Sequence, residues 1–599
     1  MSEQLTRNEI AEEMKWDLST IYTSIEKWEA DFSRINGLVT AVLAFKGKLG
    51  DSPQTLADCY KTQDAMERVV EKIYTYAHLE SDQDTAKSET RSRVDRITSK
   101  FAEISGKLAW FDPELLALPE ETFSSYLEAE ELSFYNRTLQ EQARSRAHTL
   151  SEKEERILGM SSEVMGAASK AFSILNNADI KFPKIKDDDG NDVELTHGSY
   201  VKFLESGDRE IRKGAFNAMY DTYNSYRNTF ACTMGSNVKK DVLKAELRNF
   251  PSALESSLHP DNVPADVYNN LISTVHSNLP ALHRYYDLRR KVLKLDKLDM
   301  CDVYNPLIAE SKIEVSWEEA CQWVREACKP LGEEYCTILE RAFEERWIDV
   351  LENKGKRSGA YSSGCHDTSP YVLMNYSGTL NDVFTLAHEL GHSMHSYYSR
   401  NAQPYHYSSY KIFVAEVAST TNELLLHDYL MKKTEDKNFR LYLLNHLVDG
   451  FKGTVYRQTM FAEFEKEIHE RVERGEPLTP DNLCEYYYEL NKKYHGDAVE
   501  PDQKIEMEWA RIPHFYYNFY VYKYATGFSA AVALSKNILS GDQKKLDDYL
   551  GFLKAGGSKD VLDIMKDAGV DLSTPEPINS ALTEFSGVVD ELERELVNR

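Results

Sequence analysis

The sequence predicts a mostly α-helical fold with a small amount of β-structure, on three observations. Apolar stripes at helical spacing, alternating with Glu-, Lys- and Arg-rich faces, dominate the chain, most clearly between about residues 23 and 180. Only two stretches, 178–195 and 358–376, read as strand-forming. At 599 residues the chain exceeds what one core supports, so two or more lobes are expected.

In chain order, the first well-marked helix lies within 61–105, where Ala65, Val69, Val70, Ile73, Tyr76 and Ala77 form one stripe. The runs 178–182 and 193–195 are short and β-like, and Asp189-Gly190 between them reads as a hairpin turn. That hairpin marks a boundary. Three regions are expected: 1–110, helical; 111–198, closing on the hairpin; and 199–599, catalytic. Gly359, Gly364 and Pro370 break the helical pattern, and 371–376 is a strand leading into the next helix. As an edge strand it would pair an extended peptide through main-chain hydrogen bonds, which suits broad specificity.

The next helix spans 380 to about 399. Thr379 is its N-cap and Asp382 the capping-box carboxylate. Val383, Phe384, Ala387, Leu390, Met394 and Tyr397 recur near helical spacing, so His388 and His392 project from a half-buried element. The segment His388-Glu389-Leu390-Gly391-His392 is an H-E-x-x-H. Histidines four apart stack on one helix face, so both imidazoles reach one metal. Zinc accepts three protein ligands and keeps a fourth position for water, whose pKa falls to about 7. Glu389 stands beside that position and takes the water's proton. Gly391 costs about 1 kcal/mol relative to Ala inside a helix, which a close approach by another backbone or by substrate explains.

A third ligand is expected from the following helix, 411–431. Glu416 is a lone carboxylate in the run Phe413-Val414-Ala415-Glu416-Val417-Ala418-Ser419, and metal ligation would satisfy it. Glu423, two turns along the same face, is placed to orient a ligand histidine. His395 is read as a pocket wall. No third His follows at metzincin spacing.

Composition bounds the rest. A net charge of −27 argues against nucleic acid or an anionic membrane as partner. No apolar run approaches the ~18 residues of a membrane helix. The opening Met1-Ser2-Glu3-Gln4-Leu5-Thr6-Arg7 lacks the apolar core of a signal peptide, so a cytoplasmic location is expected. The eight cysteines form no C-x-x-C pair, which suits a reducing compartment.

The run from His388 to His395, with Phe413–Ser419 and Glu423, resembles the thimet oligopeptidase superfamily of zinc metallopeptidases, and most closely its oligoendopeptidase F branch. Lys15-Trp16-Asp17-Leu18, 178–182, 355–362 and 514–527 extend the resemblance over nearly the whole chain. It implies His388, His392 and Glu416 as ligands of one Zn2+ per chain, and Glu389 as general base. It also implies two helical lobes enclosing a deep substrate channel, with a small sheet beside the zinc. Substrates are then short unstructured peptides, cut internally. A zinc carboxypeptidase or dipeptidyl carboxypeptidase on a related helical fold is the alternative. A structural metal in a non-enzymatic scaffold is a more distant one.

Residues 509–527 form a second constellation, with His514 and a dense tyrosine run. Tyr516, Tyr520 and Tyr524 recur at helical spacing, and hydroxyls converging on one face are useful where negative charge develops on a carbonyl oxygen. The resemblance implies His514, Tyr520 and Tyr524 as such donors, with Tyr522 a further candidate.

Overall fold

A computed structural model describes residues 4–308 and 313–597. The first three residues of the opening segment, and the outer ends of the expected 1–110 and 199–599 regions, lie outside the described residues. The chain is mostly helical with two small sheets, and divides into two compact units.

The first unit comprises Met1–Glu155, Ile313–Leu430 and Leu534–Gly569. Helices Ile25–Leu43, Pro53–Asp82 and Ser88–Leu108 pack together around Trp28, Ile35, Val39, Val70, Ile73 and Ile97. Val70, Ile73, Tyr76 and Ala77 are buried as the stripe requires; Ala65 is exposed, and Met66 takes the inward position instead. Tyr371 and Leu373 complete this core from the strand Tyr371–Tyr376.

That strand is the centre of its sheet, not the expected edge. It pairs in parallel with Ile348–Leu351 and antiparallel with Tyr361–Ser363. The reason lies in its composition: Tyr371, Val372, Leu373 and Met374 are all buried, as in a strand covered on both faces. The edge strands are Ile348–Leu351 and Tyr361–Ser363.

The second unit comprises Arg156–Lys312, Met431–Ala533 and Val570–Arg599. The expected strand at 178–182 is absent: Leu175–Asp179 instead closes the preceding helix in a wide π-turn. The strand is Lys184–Lys186, paired antiparallel with Asp192–Glu194. Pro183 explains the shift, because it cannot continue a helix and forces the residue before it to be extended. The turn itself is as read: Gly190 has φ +81°, and the Asp187 carboxylate accepts from the amides of Asp189 (3.0 Å) and Asn191 (2.7 Å).

Helices Arg227–Leu247, Ala265–Val292, Arg457–Glu473 and Pro480–His495 form the body of this unit, with Arg457–Glu473 packed against each of the other three. Gln503–Arg511 follows in 3-10 turns, anchored by buried Glu508, which accepts from Arg457 (2.8 Å) and Tyr487 (2.7 Å). Among the described residues no helix is long and apolar enough to cross a membrane.

Candidate metal centre and active site

The motif helix is Leu380–Ala402. Its N-terminus carries the expected capping box, with Thr379 accepting from Asp382 and the Asp382 carboxylate reaching back to the Thr379 amide at 3.0 Å. The second helix is Ile412–Lys433. The two cross in near contact at Gly391. A Cβ there would lie 2.5 Å from Ser419 Cα and 2.8 Å from Ala418 O, so only glycine lets the backbones approach this closely. Asn422 joins them again, donating to Ala387 O at 3.3 Å while its own oxygen accepts from Tyr335 at 3.1 Å.

This crossing brings His388, His392 and Glu416 together, one ligand atom from each lying within 4.8 Å of the others. Glu416 Oε2 is 3.3 Å from His388 Nε2 and 3.5 Å from His392 Nε2. Glu423 Oε1 lies 2.6 Å from His388 Nδ1, so the outer ring nitrogen is committed and Nε2 is turned to the cluster. Two imidazoles and one carboxylate, converging with their lone pairs inward, are the donor set of an open zinc site.

The electrostatics agree. Burial alone would push His388 down, but Glu416 and Glu423 outweigh it and hold it up at about 10. Burial would likewise raise Glu416, yet the two histidines hold its carboxyl far below the usual range. Each shift is set by the other partner: the carboxylates favour a charged His388 and the imidazoles an ionised Glu416. Glu389 is 6% exposed, and its Oε2 has no partner among the described residues. Burial pushes its carboxyl up. A buried carboxylate oxygen without a donor is where a polarised water fits.

His395 belongs to the interior rather than to a pocket wall. It stacks on Tyr410 at 3.7 Å, and burial pushes it down to about 3, so it is neutral. Ser393, on the same helix, meets Ser362 of the edge strand at 2.8 Å. Sequence reading passed over Ser362 and Asn422, whose partners come from distant segments.

In the second unit, His514, Tyr520 and Tyr524 form a cluster of half-exposed rings. Tyr524 Oη is 3.4 Å from His514 Nε2; Tyr520 lies 6.3 Å from the His514 ring and 5.3 Å from that of Tyr524. Burial pushes His514 down, which favours the neutral imidazole. The tyrosines do not share one helix. Pro513–Tyr516 is a 3-10 turn, and the helix starts at Tyr522. Tyr516 is core, stacked on Phe172 at 4.2 Å with its hydroxyl 2.8 Å from Thr233 Oγ1. Tyr522 is also core, packed on Tyr268 at 5.2 Å.

Comparison with known families decides the kinship. Residues 202–584 match the family described as peptidase family M3, and 114–182 match oligopeptidase F. The chain belongs to peptidase family M3. It is a metalloendopeptidase. The chain is 49% identical to oligopeptidase PepF of Bacillus subtilis over 99% of its length and 88% of that protein's. It is 43% identical to the group B oligopeptidase PepB of Streptococcus agalactiae, over 98% of each. The crystal structure of oligoendopeptidase F from Enterococcus faecium covers 96% of this chain and 99% of its own, at 39% identity and a TM-score of 0.76. A solved chain from Chlamydophila abortus gives 0.92 at 38% identity, covering 99% of this M3 peptidase and 100% of itself.

Proposed function

We propose that this M3 peptidase is a zinc-dependent oligoendopeptidase acting on short unstructured peptides, with one ion held by His388, His392 and Glu416. The observation that carries the reading is the convergence of those three donors beside the unpartnered, buried oxygen of Glu389. When bound, zinc supplies Lewis acidity, lowering the pKa of a nearby water to about 7 and polarising a carbonyl.

The chain's own residues perform the proton chemistry. Glu389 Oε2 accepts a proton from the attacking water and returns it to the leaving amine nitrogen. Glu423, at 2.6 Å from His388 Nδ1, keeps that ring in the orientation that presents Nε2. His514, Tyr520 and Tyr524 donate to the substrate oxygen as negative charge develops there. The open edge of Tyr361–Ser363 pairs with the extended peptide backbone, tied to the motif helix through Ser362 and Ser393. All eight cysteines are free, which supports the reducing environment of a cytoplasmic enzyme. Along the sequence, the proposed regions are 1–110, 111–198 and 199–599, a division supported by the family matches over 114–182 and 202–584 and cut across by the two compact units.

The test uses a peptide blocked at both ends, because a carboxypeptidase needs a free terminus. Internal cleavage by the wild-type enzyme is expected. The Glu389→Gln variant is expected to be inactive while retaining about one zinc per chain. Full activity in that variant removes Glu389 as the base, and failure to cut the doubly blocked peptide removes the endopeptidase assignment.

A further inference from the structure

Helix Arg457–Glu473 buries a carboxyl group for which the peptidase mechanism above has no use. Glu465 is fully inaccessible, and its Oε1 accepts from the Phe519 amide at 2.6 Å. Its Oε2 has no partner among the described residues. Burial pushes the carboxyl up to about 7, with His469 and the Phe519 amide opposing.

The segment it holds is strained. Asn518 (φ +48°) and Phe519 (φ +56°) are consecutive left-handed residues. Asn tolerates that region, but a bulky Phe there is an outlier that persists only where the surroundings over-determine it. They do so here. The Phe519 ring lies 4.4 Å from His469 and meets Tyr268 edge-on at 5.7 Å. Ser257 Oγ donates to Asn518 O at 2.7 Å. The chain bends at 517–519, between the 3-10 turn that ends at Tyr516 and the half-buried Tyr520. In the absence of this bend, 516–524 would run on as the single helix that the tyrosine spacing suggests. Tyr520, the residue next to Phe519, would then leave His514.

We propose that Glu465 is a positioning residue: by holding the Phe519 amide it fixes the left-handed turn that places Tyr520 and Tyr524 against His514. The proposal rests on the reading of those three side chains as substrate donors. It assigns part of the turnover to a carboxyl that contacts no substrate.

The experiment compares Glu465→Met, which keeps the volume and removes the acceptor, with Glu465→Gln, which keeps an acceptor oxygen. The Met variant is expected to lose kcat by about 10- to 100-fold, with KM and zinc content near wild type. The Gln variant is expected to recover kcat to within about threefold. Combining Glu465→Met with Tyr520→Phe should cost less than the product of the two, because both act through one turn. Equal kcat in the Met variant and wild type, or an equal loss in the Met and Gln variants, overturns the proposal. If Tyr520→Phe and His514→Ala keep full kcat, the donor reading itself has failed; if they lose kcat and Glu465→Met does not, only the positioning role has failed. Should Glu465→Met not fold, amide exchange in the wild-type holoenzyme decides. Strong protection of the Phe519 amide is expected, and exchange as fast as that of an unstructured amide overturns the proposal.

Discussion

Replacing Gly391 by Ala sets two effects against each other, and the structure says which wins. Helix propensity alone favours Ala over Gly by about 1 kcal/mol. Sterics oppose it: the new Cβ would lie 2.5 Å from Ser419 Cα and 2.8 Å from Ala418 O, both backbone atoms that no rotamer change can move. Ordinary carbon contacts are about 3.5–4.0 Å, so the helices must separate by about 1 Å. Overpacking of this kind costs about 1–3 kcal/mol, which cancels or exceeds the propensity gain. The separation also carries Glu416, one helical turn before Ser419, away from His388 and His392. Zinc–ligand distances tolerate only about 0.2 Å, so zinc affinity is expected to fall at least 10- to 100-fold, with little change in the metal-free melting temperature. Chelator competition measures the affinity, and turnover at saturating zinc separates lost metal from misplaced chemistry. A Gly391→Ala enzyme with unaltered affinity and unaltered turnover would refute the argument that this crossing sets the ligand geometry.

Two further outcomes concern the same cluster. Glu423→Ala frees the His388 ring from its 2.6 Å partner and is expected to weaken zinc binding about 10- to 100-fold, whereas Glu423→Gln, which still accepts from Nδ1, should lose less; equal affinity in both and in wild type would show that the ring needs no such support. In the metal-free protein, His388 is raised to about 10, so its contribution to stability is fully present below its unfolded value of about 6.5 and is lost as pH rises through about 10. The apoprotein's melting temperature should therefore decline across that window, and zinc uptake near pH 8 should release a proton, visible as a binding heat that changes with the buffer's ionisation enthalpy; a buffer-independent heat contradicts the assignment.

What was legible in the sequence was what local chemistry decides. Thr379 and Asp382 specify a helix start within four residues, and Gly391 announced a close approach by another backbone or by substrate, which the fold resolves as the Ser419 backbone. What escaped depended on distant partners. Whether 371–376 is central or marginal is settled by Ile348–Leu351 and Tyr361–Ser363, and no feature of the strand names them. The tyrosines at 516, 520 and 524 imitate a helical stripe, since a left-handed Phe519 has no compositional signature of the kind glycine provides.

Glu416 and Glu465 make the distinction sharpest. Glu416 stood out because its neighbours in sequence are apolar. Glu465 did not, because Glu463 and Glu467 flank it and the stretch reads as a solvated face. Helical neighbours are three and four residues away, however, and there Glu465 meets Phe461, Ala462, Ile468 and His469, whereas Glu463 meets Thr459, Met460, Lys466 and Glu467. On the helix surface rather than along the chain, Glu465 has no acidic or lysine neighbour, and the same rule applies as for Glu416: a buried carboxyl needs a donor or a cation. Glu416 answers it with two imidazoles and Glu465 with an amide 54 residues away. The rule identifies which acidic residue has a structural obligation, and only the fold supplies the creditor.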